Sequence, residues 1–160
     1  MKEMALPQIV TIGIYNSNVA VRNKTITKNR ETTMFEIEMP MEKGGISYVD
    51  SEQFPIDENM IICSKPGQIR HTKLPFKCYY VKMILNEGYL YDILMNIPSF
   101  LPITKIQEYK EIFKVLCKYQ ETGTEADIII LHSLILKLVY MLNKDSKKTV
   151  ICRKIKKHQL

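Results

Sequence analysis

The apolar periodicity of this chain changes once, at Gly88, and that change limits what it can fold into. Before Gly88, apolar residues alternate with polar ones or run in short bursts between turn signals. After it they recur at every third or fourth position. A period of two followed by a period near 3.6 predicts strands and then helices, so the fold class is mainly β with α. Short, evenly spaced strands separated by turns predict an antiparallel barrel or sandwich.

Gln8–Tyr15 is β-branched and apolar, and it runs into the turn signal Asn16-Ser17-Asn18. Met34–Met39 alternates apolar residues with Glu36 and Glu38, the pattern of a half-exposed strand with both acids on its solvated side. Glu42-Lys43-Gly44-Gly45 has the composition of a hairpin loop leading into Ile46–Asp50. Phe54–Ile56 carries Pro55, which suits a sheet edge. Asp57-Glu58-Asn59 turns the chain into the buried run Met60–Cys63. Lys65-Pro66-Gly67 then closes that run as a type II turn, with Gly67 at positive φ. Phe76–Leu85 is the longest strand expected, with Cys78, Tyr80, Lys82 and Ile84 on one face.

Beyond Gly88, Tyr89–Asn96 reads as a short helix stopped by Pro98 and Pro102. Ile103–Glu121 sets Ile106, Tyr109, Phe113 and Leu116 or Cys117 at helical spacing. Thr104 stands at its N-cap with Gln107 three residues on, and Gly123 at its stop. Thr124 caps a last helix with Asp127 as the N3 acid, expected to end near Asn143. In that helix Ile128, Leu131, Ile135, Leu138 and Leu142 step by three and four, the spacing of a coiled-coil seam. A second stripe, Ile129, Leu136, Val139 and Tyr140, lies roughly opposite, so the helix has two things to pack against. The pattern alone leaves open whether the second is more of the same chain or a second copy. The expected organisation is a barrel over residues 1–87, a helical region over 88–143 and a basic tail or linker over 144–160.

That tail carries the charge. The formal net charge is +6, and residues 144–160 hold seven basic residues against Asp145, leaving 16 basic and 16 acidic residues in 1–143. The body is therefore no nucleic-acid surface by charge, and the tail reads as a linker or a weak phosphate contact. No apolar run is long enough for a membrane span, and Met1–Val10 lacks a signal-peptide core. Cys63, Cys78, Cys117 and Cys152 form no CxxC pair and are expected as reduced thiols of a cytoplasmic protein.

The sequence offers little for catalysis. Its three histidines, His71, His132 and His158, form no HxH or HxxxH pair, so no metal is expected, and no other cofactor. His132 sits in an apolar helix and reads as a packed or interfacial residue. No GxSxG, phosphate loop or GxGxxG occurs, and Gly44-Gly45 alone is too weak a signal. A Cys78 nucleophile served by His71 is conceivable on paper, but a strand cysteine is more often an apolar filler. No catalytic residue, and no enzyme, is expected.

One segment is distinctive: Asn59–Thr72, NMIICSKPGQIRHT. A short apolar strand, a Pro-Gly turn and a histidine four residues past the glycine bring the chain across a barrel mouth. His71 and Thr72 are expected to point inward, beside Cys78 and Tyr80 from the next strand, with Arg30 as a fixed bidentate donor. This segment, the following LPFKCYYVKMIL, and LYDILMNIPSFLPI at 90–103 resemble the sensor domains of AraC-type transcription regulators over about residues 8–143.

The resemblance implies an antiparallel cupin-like jelly-roll barrel followed by a C-terminal helical hairpin used for dimerisation. It also implies an effector held in the barrel near Arg30, His71, Thr72, Cys78 and Tyr80. The homodimer would form through Ile128, Leu131, Ile135, Leu138 and Leu142. The effector would be a small molecule, a carbohydrate or another metabolite. Thr72 and Cys78 stand where sugar-binding members carry bulkier groups, which weakens the case for a sugar. DNA would be met only through a helix-turn-helix half, for which nothing after Asn143 has the pattern. The alternative is a stand-alone cupin enzyme, an isomerase or a metal-dependent dioxygenase.

Overall fold

A computed structural model describes residues 3–158, without the side chains at 150–153 and 156; Cys152 is among these. The first strands are β1 (Gln8–Asn16), β2 (Arg30–Glu31), β3 (Phe35–Pro40), β4 (Ile46–Val49), β5 (Glu52–Pro55) and β6 (Met60–Ser64). They are followed by β7 (Ile69–Lys73), β8 (Lys77–Ile84) and β9 (Phe100–Pro102). The helices are α1 (Ser17–Ala20), α2 (Tyr89–Asn96), α3 (Ile106–Thr122) and α4 (Asp127–His158). The fold is mixed α and β: two antiparallel sheets, in the orders β1-β8-β3-β6-β9 and β2-β7-β4-β5, with helices. No described strand belongs to both sheets, so the closed barrel expected from the sequence is here two open sheets facing one another.

The five-stranded sheet is covered on both faces. Phe35, Ile37 and Met39 of β3, Ile61 and Cys63 of β6, and Tyr79, Val81 and Met83 of β8 pack against the helices. The alternate residues, among them Cys78, Met60 and Ile62, face the second sheet with Val49 and Phe76. This explains why all six residues of β3 are buried, whereas a half-exposed strand was expected. The hairpin read at residues 42–45 is also corrected. β3 pairs with β6 and β8, and β4 with β5 and β7, so this loop carries the chain from one sheet to the other. Gly45 has φ +74°, and a Cβ there would lie 2.2 Å from the Lys73 carbonyl oxygen, so the crossing needs glycine.

Several local expectations hold. Gly67 has φ +90° in the turn between β6 and β7, and β5 is a sheet edge. Helix α2 spans Tyr89–Asn96 with Leu90 and Leu94 inward. It stops at Ile97, which takes the extended conformation that a following proline imposes. Residues 16–18 do turn, within a helical turn in which Asn18 N–H donates to the Asn16 side chain. The strand β9 was not foreseen, because Pro98 and Pro102 read only as a stop.

Helix α3 starts at Ile106 rather than Ile103, with Lys105 at its N-cap and no side-chain cap, so Thr104 does not cap it. It ends at Gly123 in the left-handed region, φ 62°. At the start of α4 the Asp127 carboxylate accepts from Thr124 N–H and the Thr122 hydroxyl, half of the capping box expected there. These bonds hold its carboxyl below the ordinary value. Tyr109, early in α3, donates to Asp145, just past the middle of α4, at 2.5 Å, so α3 and the first half of α4 form an antiparallel hairpin. His132 has its ring nitrogens 2.8 and 2.9 Å from the carbonyl oxygens of Ile128 and Pro7, tying α4 to the chain before β1.

Two expectations for the last helix change. It does not end near Asn143 but continues to His158, so most of the segment read as a tail or linker is helical. Leu131, Ile135, Leu138 and Leu142 of the coiled-coil seam are buried in the chain's own core, with the sheet and α3, while Ile128 is 53% exposed. Of the second stripe, Ile129, 72% exposed, and Tyr140 face outward and Leu136 is partly covered, but Val139 is buried in the core; Ile130 is exposed as well. No described helix is long and apolar enough to cross a membrane.

Candidate functional site

Between the two sheets the apolar filling stops partway. Toward β5 and β9 the space is closed by Val49, Ile56, Met60, Ile62 and the stacked rings of Phe54 and Phe100, 5.6 Å apart. Toward β1 and β2 it opens into a cavity of about 470 Å³, bordered by the segment that links those two strands. That segment is hydrogen-bonded to β7: Thr27 N–H donates to the Thr72 carbonyl, and Thr72 N–H to the Thr27 hydroxyl, at 2.9 and 2.8 Å.

A buried charge cluster forms one wall. Alternation on β3 sends Glu36 and Glu38 to the same face, opposite Arg30 and Arg70, which are paired positions on β2 and β7. Arg30 grips Glu36 with both terminal nitrogens, 2.8 and 2.7 Å from Oε1 and Oε2. Arg70 Nη1 donates to Glu36 Oε2 at 2.9 Å, and its Nη2 lies 2.6 Å from Glu38 Oε1 outside hydrogen-bond geometry. Lys82 Nζ is 3.6 Å from Glu36 Oε1. Burial pushes the Glu36 carboxyl upward. The hydrogen bonds from Arg30 and the charges of Arg70, Arg30 and Lys82 outweigh it, and Glu36 settles below its ordinary value. The hydrogen bonds to Glu36 likewise raise Arg30. Arg70 Nε and Glu38 Oε1 are buried without a hydrogen bond.

Beside the acids, on the same five-stranded sheet, the wall is aromatic and apolar: Tyr80 is the cross-strand partner of Glu38, and Tyr15 and Phe76 add rings, with Val21 of the β1–β2 segment also lining the cavity. Tyr80 lies across β1 because position 13 is glycine: a Cβ there would meet the Tyr80 hydroxyl at 2.9 Å. Desolvation, then the neighbouring Cys78 and Glu38, raise the Tyr15 phenol above 10, so it is an O–H donor at neutral pH.

The residues singled out from the sequence are placed as follows. Arg30, Thr72 and Tyr80 border the cavity. His71 sits on the same strand, but Arg70 and Thr72 take the inner face, so His71 cannot point inward beside Thr72 as expected. Its ring stacks on Tyr48, 4.2 Å away and 9° from parallel, on the outer face, and it meets the cavity only at the strand. Cys78 is fully buried beneath the wall, with Sγ 3.8 Å from Glu38 Oε2. Burial and Glu38 push its thiol well above 9, and no imidazole faces it, so the Cys78–His71 pair is not assembled.

Both acids read as solvated are buried. Arg70 went unselected although it stands beside His71 in the same motif, and Tyr15, Lys24, Lys28, Phe76 and Lys82 also went unselected. One signal was available: two acids at period two on an otherwise apolar strand, with arginines on other strands of matching period. Among the described residues no cluster of histidine, cysteine and carboxylate side chains is grouped to hold a metal ion.

The arrangement can enclose a small molecule against fixed charges and aromatic rings. No protein-family model matches the chain, and no curated protein matches it at a significant level.

Glu36→Gln should lower stability by about 3 kcal/mol in urea denaturation, because it leaves Arg30 without a carboxylate and the buried Arg70 with Glu38 alone. A loss below about 1 kcal/mol would mean that solvent screens the whole cluster. The sign with pH follows from the lowered Glu36 value. Its contribution is complete above the ordinary value of 4.5 and is lost as pH falls through the depressed one, so this acid-side decline should be smaller in the variant.

Proposed function

We propose that these residues form the effector-binding part of a transcription regulator of the AraC type, with the effector held between the two sheets. One observation carries this reading: a cavity of about 470 Å³ with a fixed charged wall, an aromatic wall and a hydrogen-bonded segment at its mouth. That volume is in the range of small-ligand sites, which join apolar surfaces to a few oriented polar groups. The two facing antiparallel sheets, with orders β1-β8-β3-β6 and β2-β7-β4-β5 before β9 is added, support the jelly-roll part of the reading, since a jelly roll is built from two such sheets. The helical hairpin packed on one sheet agrees with the order expected of such sensors.

A homodimer belongs to the same reading. The inward seam of α4 leaves Ile129, Leu136 and Tyr140 as the stripe on which a second copy would sit. Ile129→Glu with Tyr140→Glu should then turn a dimer into a monomer in sedimentation, and an unchanged sedimentation coefficient sinks that assignment.

The function is tested by a thermal-shift screen of metabolites on the intact chain. An effector at 100 times its Kd stabilises by about 2.7 kcal/mol, a shift of several degrees for a chain of this size. The shift should vanish in Val21→Trp, which fills the mouth. A screen in which no compound gives a shift that depends on Val21 would count against an effector site. The regulatory part is checked at the native locus. A reading frame continuing past the codon for Leu160 into helix-turn-helix sequence supports it, and a stop codon there favours the cupin-enzyme alternative.

A further inference from the structure

The cavity is unbalanced in charge. Lys24, Lys28, Arg30, Arg70 and Lys82 border it, against Glu38 alone, with Glu36 set behind. Granting both carboxylates to the cluster, three positive charges remain without a counter-charge at the cavity. Their placement is uneven. Arg30 has both terminal nitrogens on Glu36 and Arg70 is shared between the two acids, so the charges of both arginines are already answered by carboxylates. Lys24 and Lys28 lie at the mouth and make no ion pair among the described residues. Lys82 lies deeper, 32% exposed, 3.6 Å from a Glu36 already bonded to both arginines and 5.8 Å from the Tyr80 ring centroid.

We propose that the cavity takes a small organic acid, its anionic group held by Lys24, Lys28 and Lys82 and its apolar body laid against Tyr15, Phe76 and Tyr80. This rests on the reading of the cavity as an effector site, and it names the chemistry of the effector. A ligand that closes the mouth takes these lysines partly out of water. A neutral ligand leaves their charges uncompensated, and a cationic one adds to the repulsion. An anion supplies the missing counter-charge and charge-assisted hydrogen bonds. The protonated Tyr15 phenol offers such a group a further donor. A polyol is poorly served, because the Glu38 carboxylate that would accept its hydroxyls has Oε1 occluded against Arg70 and Oε2 facing Cys78. Arg30 makes its bidentate contact with Glu36, so the counter-charge for the ligand falls to the lysines.

Two fluorescent probes of nearly equal shape separate the possibilities: 8-anilinonaphthalene-1-sulfonate, an anion, and N-phenyl-1-naphthylamine, which lacks the sulfonate. Titrated into the intact chain, the sulfonate should bind at one site at least about tenfold more tightly than the neutral dye. Octanoate should displace it and octanamide should not. Lys24→Met with Lys28→Met, both on the exposed mouth segment, should weaken the sulfonate about tenfold and leave the neutral dye unchanged. Equal affinity of the two dyes, or a sulfonate affinity indifferent to the lysines, overturns the acid assignment while the cavity reading stands. If neither dye binds at a site that Val21→Trp abolishes, the cavity reading falls as well.

Discussion

Two arginines stand side by side on one sheet, and they are tolerable there only because two glutamates face them from the other. Arg30 and Arg70 occupy paired positions on β2 and β7, and Glu36 and Glu38 lie two residues apart on β3. Removing a carboxylate from water costs several kcal/mol, and one cation at the surface offsets little of that. Glu36 has three cations around it, one of them fully enclosed. The cluster therefore fixes how the two sheets face each other. A slip of β3 by one residue would turn both acids into the helix-packed core and bring Phe35 and Ile37 against the arginines. It also decides where the interior is apolar and where it stays hollow. Hydrophobic side chains fill the space toward β5 and β9, and the charged end is left open.

Much of the architecture was legible because it rests on short-range chemistry. The change of period at Gly88, the Pro66-Gly67 turn, α2 and the Gly123 stop all depend on neighbours in the chain. What failed depends on distant partners. Glu36 and Glu38 looked solvated because alternation reveals that a strand has two different faces, not what covers the second. The loop at residues 42–45 has hairpin composition, yet its flanking strands enter different sheets. At the site, choosing His71 over Arg70 was a difference of one residue, and in a strand that is the difference between outside and inside. Thr72 and Tyr80 do border the cavity, while Cys78 lies behind its wall.

The last helix shows the same limit differently. A three-four repeat reports an apolar stripe without saying whose side chains meet it. Here the stripe through Leu131, Ile135, Leu138 and Leu142 is absorbed by the chain's own sheet and α3. Of the second stripe, Ile129 and Tyr140 are left outside, while Val139 is drawn into the core.

That helix also has a mechanical property. Its first half is set into the core through Leu142, Tyr109 still ties Asp145 to α3, and the rest runs on to His158 without a break. At 1.5 Å per residue the part beyond Asp145 is roughly 20 Å long, so a tilt of about 10° at its seat moves its far end about 3 Å. Helix α4 is a lever whose first half is clamped on the sheet that walls the cavity, and it turns a small change of packing there into a displacement the size of a side chain at its tip.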